Sequence, residues 1–398
     1  MPSESVEVYE LDDLIVSGPS NGLYKSEDFI GTGAVFLDIK CLYKGFSADF
    51  SKSRHVRITS SEQQKYGVLR RDILINRVSK KAEGVGKAVL VHEVREPTVY
   101  ESNMMRFRVD EEKVNPWYIV YYLASKESRR ELLSKANISN QASINQENLK
   151  SLKIVLPSLE KQIWVVSIAQ KCDRLRRTRR YTQQLSDSYL RSVFLEMFGD
   201  PVTNTKGWST VRVAEIGKVE TGNTPSREVS EYYGDYIEWI KSDNILDGEI
   251  FLSKAEEKLS EHGLKVCRSV ESGSILVTCI AGSIRSIGTV ALANRKVAFN
   301  QQINAVTPNR DIHPLFLYGL FLYCKPLVQR HATSSMKRII TKSKFEELLV
   351  FNPPLPLQEK FAQIVQRFER LRAQQREADR QAEHLFQTVL HRAFRGEL

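Results

Sequence analysis

Over the last third of the chain the apolar and small positions step by four and three: Ile364, Phe368, Leu371, Gln375, Ala378, Ala382, Leu385, Val389. The same register 196 residues earlier reads Ile168, Cys172, Leu175, Arg179, Thr182, Ser186, Tyr189, Val193. A 4-3-4-3 stagger is the seam of a heptad helix. Each segment follows a proline-marked loop, Leu156-Pro157-Ser158-Leu159 and Asn352-Pro353-Pro354-Leu355-Pro356, and then runs without Pro or Gly to Gly199 and Gly396. Proline sets an extended entry and cannot continue a helix backwards. The pattern predicts about 38 helical residues per copy, roughly 57 Å long. Both seams are bulky at their ends and small or polar in the middle. Such helices pack against each other, antiparallel if a two-fold axis relates them, with Ser186, Ala378 and Ala382 permitting close approach. The alternative is that each helix packs on its own domain.

The two helical segments belong to a longer repeat. Residues 144–198 fall on 340–394 without a gap, and 13 of the 55 positions are identical, among them Gln162/Gln358, Gln170/Gln366, Arg174/Arg370, Leu175/Leu371 and Phe198/Phe394. A repeat of this length sets the architecture. It extends weakly upstream: Val85-Gly86-Lys87-Ala88-Val89 matches Ile287-Gly288-Thr289-Val290-Ala291, and Asn115-Pro116-Trp117 matches His313-Pro314-Leu315. Apolar, helix-like stretches follow the last pair, Tyr118–Leu123 and Phe316–Tyr323. Short β-rich runs such as Lys87–Val91 and Ser274–Ile280 lie between Gly and polar loops and predict mixed domains. The expected class is α+β: two domains of shared mixed fold, separated by a long antiparallel two-helix coiled coil in a pseudo-two-fold internal repeat. The expected boundaries are 1–143, 144–206, 207–339 and 340–398.

With 398 residues there is room for a core in each domain. No apolar run approaches a membrane span, and the polar, acidic N-terminus is unlike a secretion signal. The five cysteines are scattered without Cys-x-x-Cys spacing, which argues for reduced thiols in a cytoplasm and against zinc. The net charge of +10 suggests a polyanionic partner. Residues 144–206 carry an excess of five basic groups, while both larger domains are nearly balanced. Nucleic-acid binding by the domains therefore calls for a local patch. The basic run Arg174, Arg176, Arg177, Arg179, Arg180 reads first as a solvated face with ion pairs to Glu369, Glu377, Asp379 or Glu383, the alternative being contact with phosphate or a protein partner.

The second domain gathers residue types that read base edges and phosphates. Gly222, Asn223, Thr224, Pro225 and Ser226 form a small polar turn, followed by Lys241, Asp243, Arg285, Asn300, Gln301, Gln302, Lys337 and Arg338. In the first domain the candidates are Arg77, Lys80, Lys81, Asn140 and Gln141. The alternative for each is a core or turn role. Two strings imitate an adenine methyltransferase: Phe29-Ile30-Gly31-Thr32-Gly33 and Asn352-Pro353-Pro354-Leu355. The first lacks a preceding buried strand. The second lacks its aromatic residue and doubles as a helix entry. The Glu-x-Lys of Asp110-Glu111-Glu112-Lys113 lacks its upstream Pro-Asp. Neither a P-loop nor a Ser/His/Asp set is present, so no catalytic, cofactor or metal residues are assigned.

The order of domain, proline-led helix, domain, proline-led helix resembles the specificity subunit of type I restriction-modification enzymes. Phe198-Gly199-Asp200-Pro201 with Gly207-Trp208 is similar to that family's junction into its second recognition domain. Gly222 to Ser226 with Tyr232-Tyr233 and Trp239-Ile240 matches a recognition-domain pattern, and Ala393-Phe394-Arg395-Gly396-Glu397-Leu398 is close to the family's ending. The resemblance implies a non-catalytic subunit whose target recognition domains each read half of a split, asymmetric site in double-stranded DNA. It implies two docked modification subunits that carry S-adenosylmethionine and methylate adenine, and restriction subunits added to that core. The helices are then the ruler between half-sites, with a seam through Ile168, Leu175, Tyr189, Val193, Ile364, Phe368, Leu371, Leu385 and Val389. The competing readings are a stand-alone DNA-binding or anti-restriction regulator of the same fold, and a helical scaffold that binds no nucleic acid.

Overall fold

The structure, a computed structural model, describes residues 7–138, 140–333, 338–395 and 397, without the side chains of Gln183, Gln184, Ser186, Asp187 and Ser188. Lys337 and the side chain of Ser186 thus lie outside the described residues. The chain divides into two compact units, Met1–Arg180 with Glu377–Leu398, and Tyr181–Arg376. The long helices Leu159–Phe198 and Leu355–Phe394 each contribute to both. Pro356 sits inside the first turn of the second, where its missing N–H costs nothing.

In the first unit an antiparallel sheet runs in the order Ile15–Asn21, Met104–Val109, Ile73–Asn76, Ala88–Leu90. A second sheet runs Arg54–Val56, Ile30–Leu37, Thr98–Tyr100, its last pair parallel. Glu7–Glu10 pairs with Lys153–Leu156. The second unit repeats the plan. One sheet runs Gly217–Thr221, Ile303–Pro308, Ile275–Thr278, Val290–Leu292. Another holds Lys258–Leu259, Tyr233–Ile240 and Val297–Phe299, again with the last pair parallel, and Thr210–Arg212 pairs with Leu349–Phe351. Even the bulge recurs: Val56 faces both Ile30 and Ala34, and Leu259 faces both Tyr233 and Ile237. From Ile30 on, the glycine string lies in this bulged strand. A Cβ on Gly33 would meet the Val56 carbonyl oxygen at 2.4 Å, so the glycine serves strand packing.

Each domain's core is a sheet covered by an almost wholly buried helix, Pro116–Ala124 or Pro314–Tyr323, capped by Asn115 or His313. An apolar helix without a polar face must be covered on all sides, and the long helices supply the outer cover. In the first unit the Phe394 ring lies 5.0 Å from Tyr118 and 5.5 Å from Tyr122. In the second, Phe194 lies 4.7 Å from Tyr323, 5.0 Å from Phe198 and 5.4 Å from Phe361. Gly319 permits this, since a Cβ there would come within 3.0 Å of the Phe361 ring.

This cover corrects the expected seam. Of its members, Val193 and Phe368 are buried and Ile168, Ile364 and Val389 partly so, but Leu175, Tyr189, Leu371 and Leu385 are 40%, 57%, 55% and 46% exposed. The buried stripes are Val165, Ala169, Cys172 and Phe361, Val365, Phe368, Arg372, with Ala382, Phe386, Leu390 and Ala393 further along. A helix that must cover both a neighbouring helix and a domain buries the bisector of the two directions, which the heptad alone does not specify. Within each unit the helices run antiparallel. Arg176 binds Glu383 at 3.1 Å in the first, and Tyr189 stacks on Phe368 at 6.3 Å while Phe194 meets Phe361 in the second.

The repeat's identities divide by burial. Gln162 and Gln358 are wholly buried and do the same work. Gln162 accepts from the Asn115 N–H at 2.9 Å and donates to the carbonyls of Lys113 and Pro157 at 3.1 and 2.9 Å. Gln358 accepts from the His313 N–H at 2.9 Å and donates to the Pro353 carbonyl at 2.8 Å. The Asn-Pro-Pro string is therefore a loop pinned to the helix it enters. Within the basic run, Arg176 also binds Asp173 at 2.9 Å, Arg177 binds Asp173 at 2.9 Å and Arg180 binds Glu383 at 3.2 Å, while Arg174 and Arg179 are exposed.

Candidate nucleic-acid interface

Each domain carries a cleft built by the same three pieces of chain. In the first unit the turn Ile39–Leu42 with Tyr43, the loop 78–84 and Asn103 enclose about 510 Å³. In the second the turn Ser242–Asn244, the loop 281–286 and Gln302 enclose about 480 Å³. The loops are preorganised from behind. Arg129 donates to the carbonyls of Val85 and Glu83, and Gln329 donates to those of Ile287 and Ile284 at 3.2 and 2.9 Å. A loop whose carbonyls are held in this way presents its side chains at fixed positions.

The linings differ. The first cleft holds Lys80, Lys81, Lys87 and Gln141, with Glu83 as its carboxylate. The Lys87 ammonium sits 4.3 Å from the centre of the Tyr43 ring. Burial first, and then the guanidiniums of Arg129, Arg176 and Arg180, lower its pKa from the ordinary lysine value. The second cleft holds Asp243, Asp247, Arg285, Thr278, Thr289 and Gln302. In place of Lys87 stands Thr289, which accepts from Lys325 at 3.0 Å, and Lys325 pairs with Asp247 at 3.4 Å. Gln302 accepts from the Ser242 hydroxyl at 3.0 Å.

The structure thus gathers Lys80, Lys81 and Gln141 in one cleft and Asp243, Arg285 and Gln302 in the other. It does not bring the remaining described candidates there. Gly222 and Pro225 are buried, and a Cβ on Gly222 would strike the Asn300 carbonyl oxygen at 2.2 Å. Asn223 accepts from the Arg268 N–H and donates to the Val266 carbonyl, each at 2.8 Å. Thr224 bonds Gln301, and Ser226 accepts from the Glu228 N–H at 3.3 Å. The turn 222–226 is therefore anchored within its own domain through Gly222, Asn223 and Thr224, while Thr224 and Ser226 remain exposed. Asn300 is 6% exposed, its amide donating to Gln302 at 3.1 Å, so it organises the cleft wall and is corrected from a base reader. Lys241 pairs with Glu257 at 2.5 Å. Glu257 also holds Arg227 at 2.8 Å, whose guanidinium stacks over Tyr233 and Trp239. Arg77 donates to the Ser102 carbonyl at 3.1 Å, Arg338 to that of Thr333 at 3.3 Å, and Asn140 is exposed outside the cleft lining.

Sequence reasoning missed Lys87, Tyr43, Arg129 and Gln329. Lys87 had a signal, since it follows a glycine that repeats as Gly288. The pinning residues had none, because a contact to a loop more than 40 residues away has no local pattern.

Two successive stretches, residues 4–185 and 205–380, match the type I restriction modification DNA specificity domain. The chain belongs to the type I restriction-modification specificity family. It is 23% identical to a protein assigned as the type I restriction enzyme MjaX specificity subunit of Methanocaldococcus jannaschii, over 99% of this chain and 94% of that one. A shorter stretch, 28% of this chain and 24% of the relative, is 30% identical to the HindI specificity subunit of Haemophilus influenzae. In fold it is similar to a chain solved in a study of the assembly and conformational transition of a type I system, with a TM-score of 0.62 at 17% identity, covering 100% of this chain and 99% of that one. It is also similar to the specificity subunit from M. genitalium, with a TM-score of 0.57 at 13% identity, covering 99% and 97%. Specificity subunits are the non-catalytic, DNA-recognising members of these systems. Among the described residues, no cluster of three His, Cys, Asp or Glu is placed to hold a metal, and no helix is long and apolar enough to cross a membrane.

Proposed function

We propose that this specificity subunit reads a bipartite, asymmetric DNA site, one half with each domain, and docks two modification subunits that bring S-adenosylmethionine and methylate adenine. Restriction subunits complete the assembly. The observation that carries this reading is the pair of clefts, built from equivalent elements and lined by different side chains. Equivalent placement suits two equivalent encounters with a duplex, and different linings suit different half-sites. In this reading residues 1–143 and 207–339 are the target recognition domains. The helical regions 144–206 and 340–398 form an antiparallel coiled coil about a pseudo-two-fold axis and set the spacing between half-sites.

Replacing residues 207–339 with the matching domain of another specificity subunit is expected to change one half-site completely and leave the other intact. Sequencing of methylated adenines reads this directly. A chimera that altered both half-sites would sink the one-domain, one-half-site assignment.

Docking of two partners has its own support. Three identities of the repeat remain on the outside: Gln170/Gln366, Arg174/Arg370 and Leu175/Leu371 are all exposed, and Lys171/Arg367 keeps its charge there. Opposite each arc lie the buried Ala169 and Cys172, or Val365 and Phe368. Among the described residues no fold contact explains these identities. A partner present in two copies, meeting the same arc twice, does.

A further inference from the structure

The two clefts differ most in charge. Lys80 and Lys81 are exposed and make no ion pair among the described residues, and Lys87 lies on Tyr43 at the same cleft. In the second cleft Asp243 and Asp247 stand against Arg285 and Lys325. One cleft is thus cationic and the other close to neutral, although the same elements build both. Lysine is a point charge on a flexible stem. It suits a phosphate better than the planar, bidentate reading of a base edge.

On the reading that the chain recognises DNA, we propose that the cleft of the first domain is a clamp for backbone phosphate, with Lys80, Lys81 and Lys87 as its cations. The equivalent cleft of the second domain contributes recognition with little of this charge. Affinity for the duplex is then unevenly divided, its salt-dependent part residing mainly in the first domain. Lys87 is half-buried on the Tyr43 ring, and an anion entering the cleft would pair with its ammonium.

The test uses the complex of the full chain with its modification subunits. Two duplexes of equal length are compared, one carrying the methylated site and one unrelated, with affinity measured across a potassium chloride series. Each phosphate contact contributes close to one unit to the slope of log affinity against log salt. Changing both Lys80→Gln and Lys81→Gln is expected to lower that slope by about 2 and to weaken both duplexes by the same factor. Both side chains are exposed, so folding is not at stake. An unchanged slope, or a loss confined to the duplex carrying the site, overturns the clamp. Failure of the unsubstituted complex to bind either duplex would instead overturn the DNA-recognition reading itself.

Discussion

Substituting Asp for both Leu175 and Leu371 is expected to abolish the recovery of modification subunits with this chain, and with it adenine methylation. Either single change should leave one modification subunit per chain. The two leucines are identical members of the repeat, yet 40% and 55% exposed, where the fold gains least from them. Burying a leucine against a partner contributes about 1.5–3 kcal/mol, and a carboxylate in its place adds an unpaired buried charge. A combined loss of about 4 kcal/mol per site is roughly a thousandfold in affinity. The mass of the purified complex reports the stoichiometry. A double variant that still carries two modification subunits would refute docking at these arcs, while leaving the DNA-facing clefts untouched as a proposal.

Removing the buried amide at a helix entry is the second large effect. Gln358→Leu keeps most of the volume and removes its bonds to the His313 N–H and to the Pro353 carbonyl, with weaker ones to Asn352 and the Asp311 carbonyl. The site is wholly buried, so water does not replace the lost partners. Each orphaned buried group costs about 1–3 kcal/mol, which places the expected destabilisation at about 3–4 kcal/mol. Gln162→Leu should behave alike in the first unit, since it strands the Asn115 N–H and two carbonyls. Urea unfolding of each variant measures the shift. A loss below about 1 kcal/mol would mean that the loops are held by other contacts.

Gln162 and Gln358 also illustrate what is legible in a sequence. Their identity was plain from the repeat, but its cause was not, because their partners at Asn115 and His313 lie 47 and 45 residues away. Asn300 went astray because its burial has no local pattern. Its residue type suits adenine, and only its 6% exposure shows that it faces inward. The turn at 222–226 reads as a small polar turn open to a ligand, and only the structure shows that Gly222 packs on the Asn300 carbonyl. Lys80 and Lys81, by contrast, follow one another in a polar loop, where residue type and exposure agree.

Chain connectivity and local periodicity were enough to predict a repeat, two proline-led helices of about 38 residues, which the structure extends to 40 each, and a family likeness. These depend on neighbours in sequence, so they survive without coordinates. Which face of each helix is buried was decided only in three dimensions. A heptad specifies the direction of one neighbour, whereas Phe386, Phe394, Phe194 and Phe361 each answer to a helix and a domain at once. The clefts, too, exist only after folding. Their walls come from separate stretches of chain, and the charge that distinguishes them arises where Lys80, Lys81 and Lys87 converge against Glu83 alone among the described lining residues.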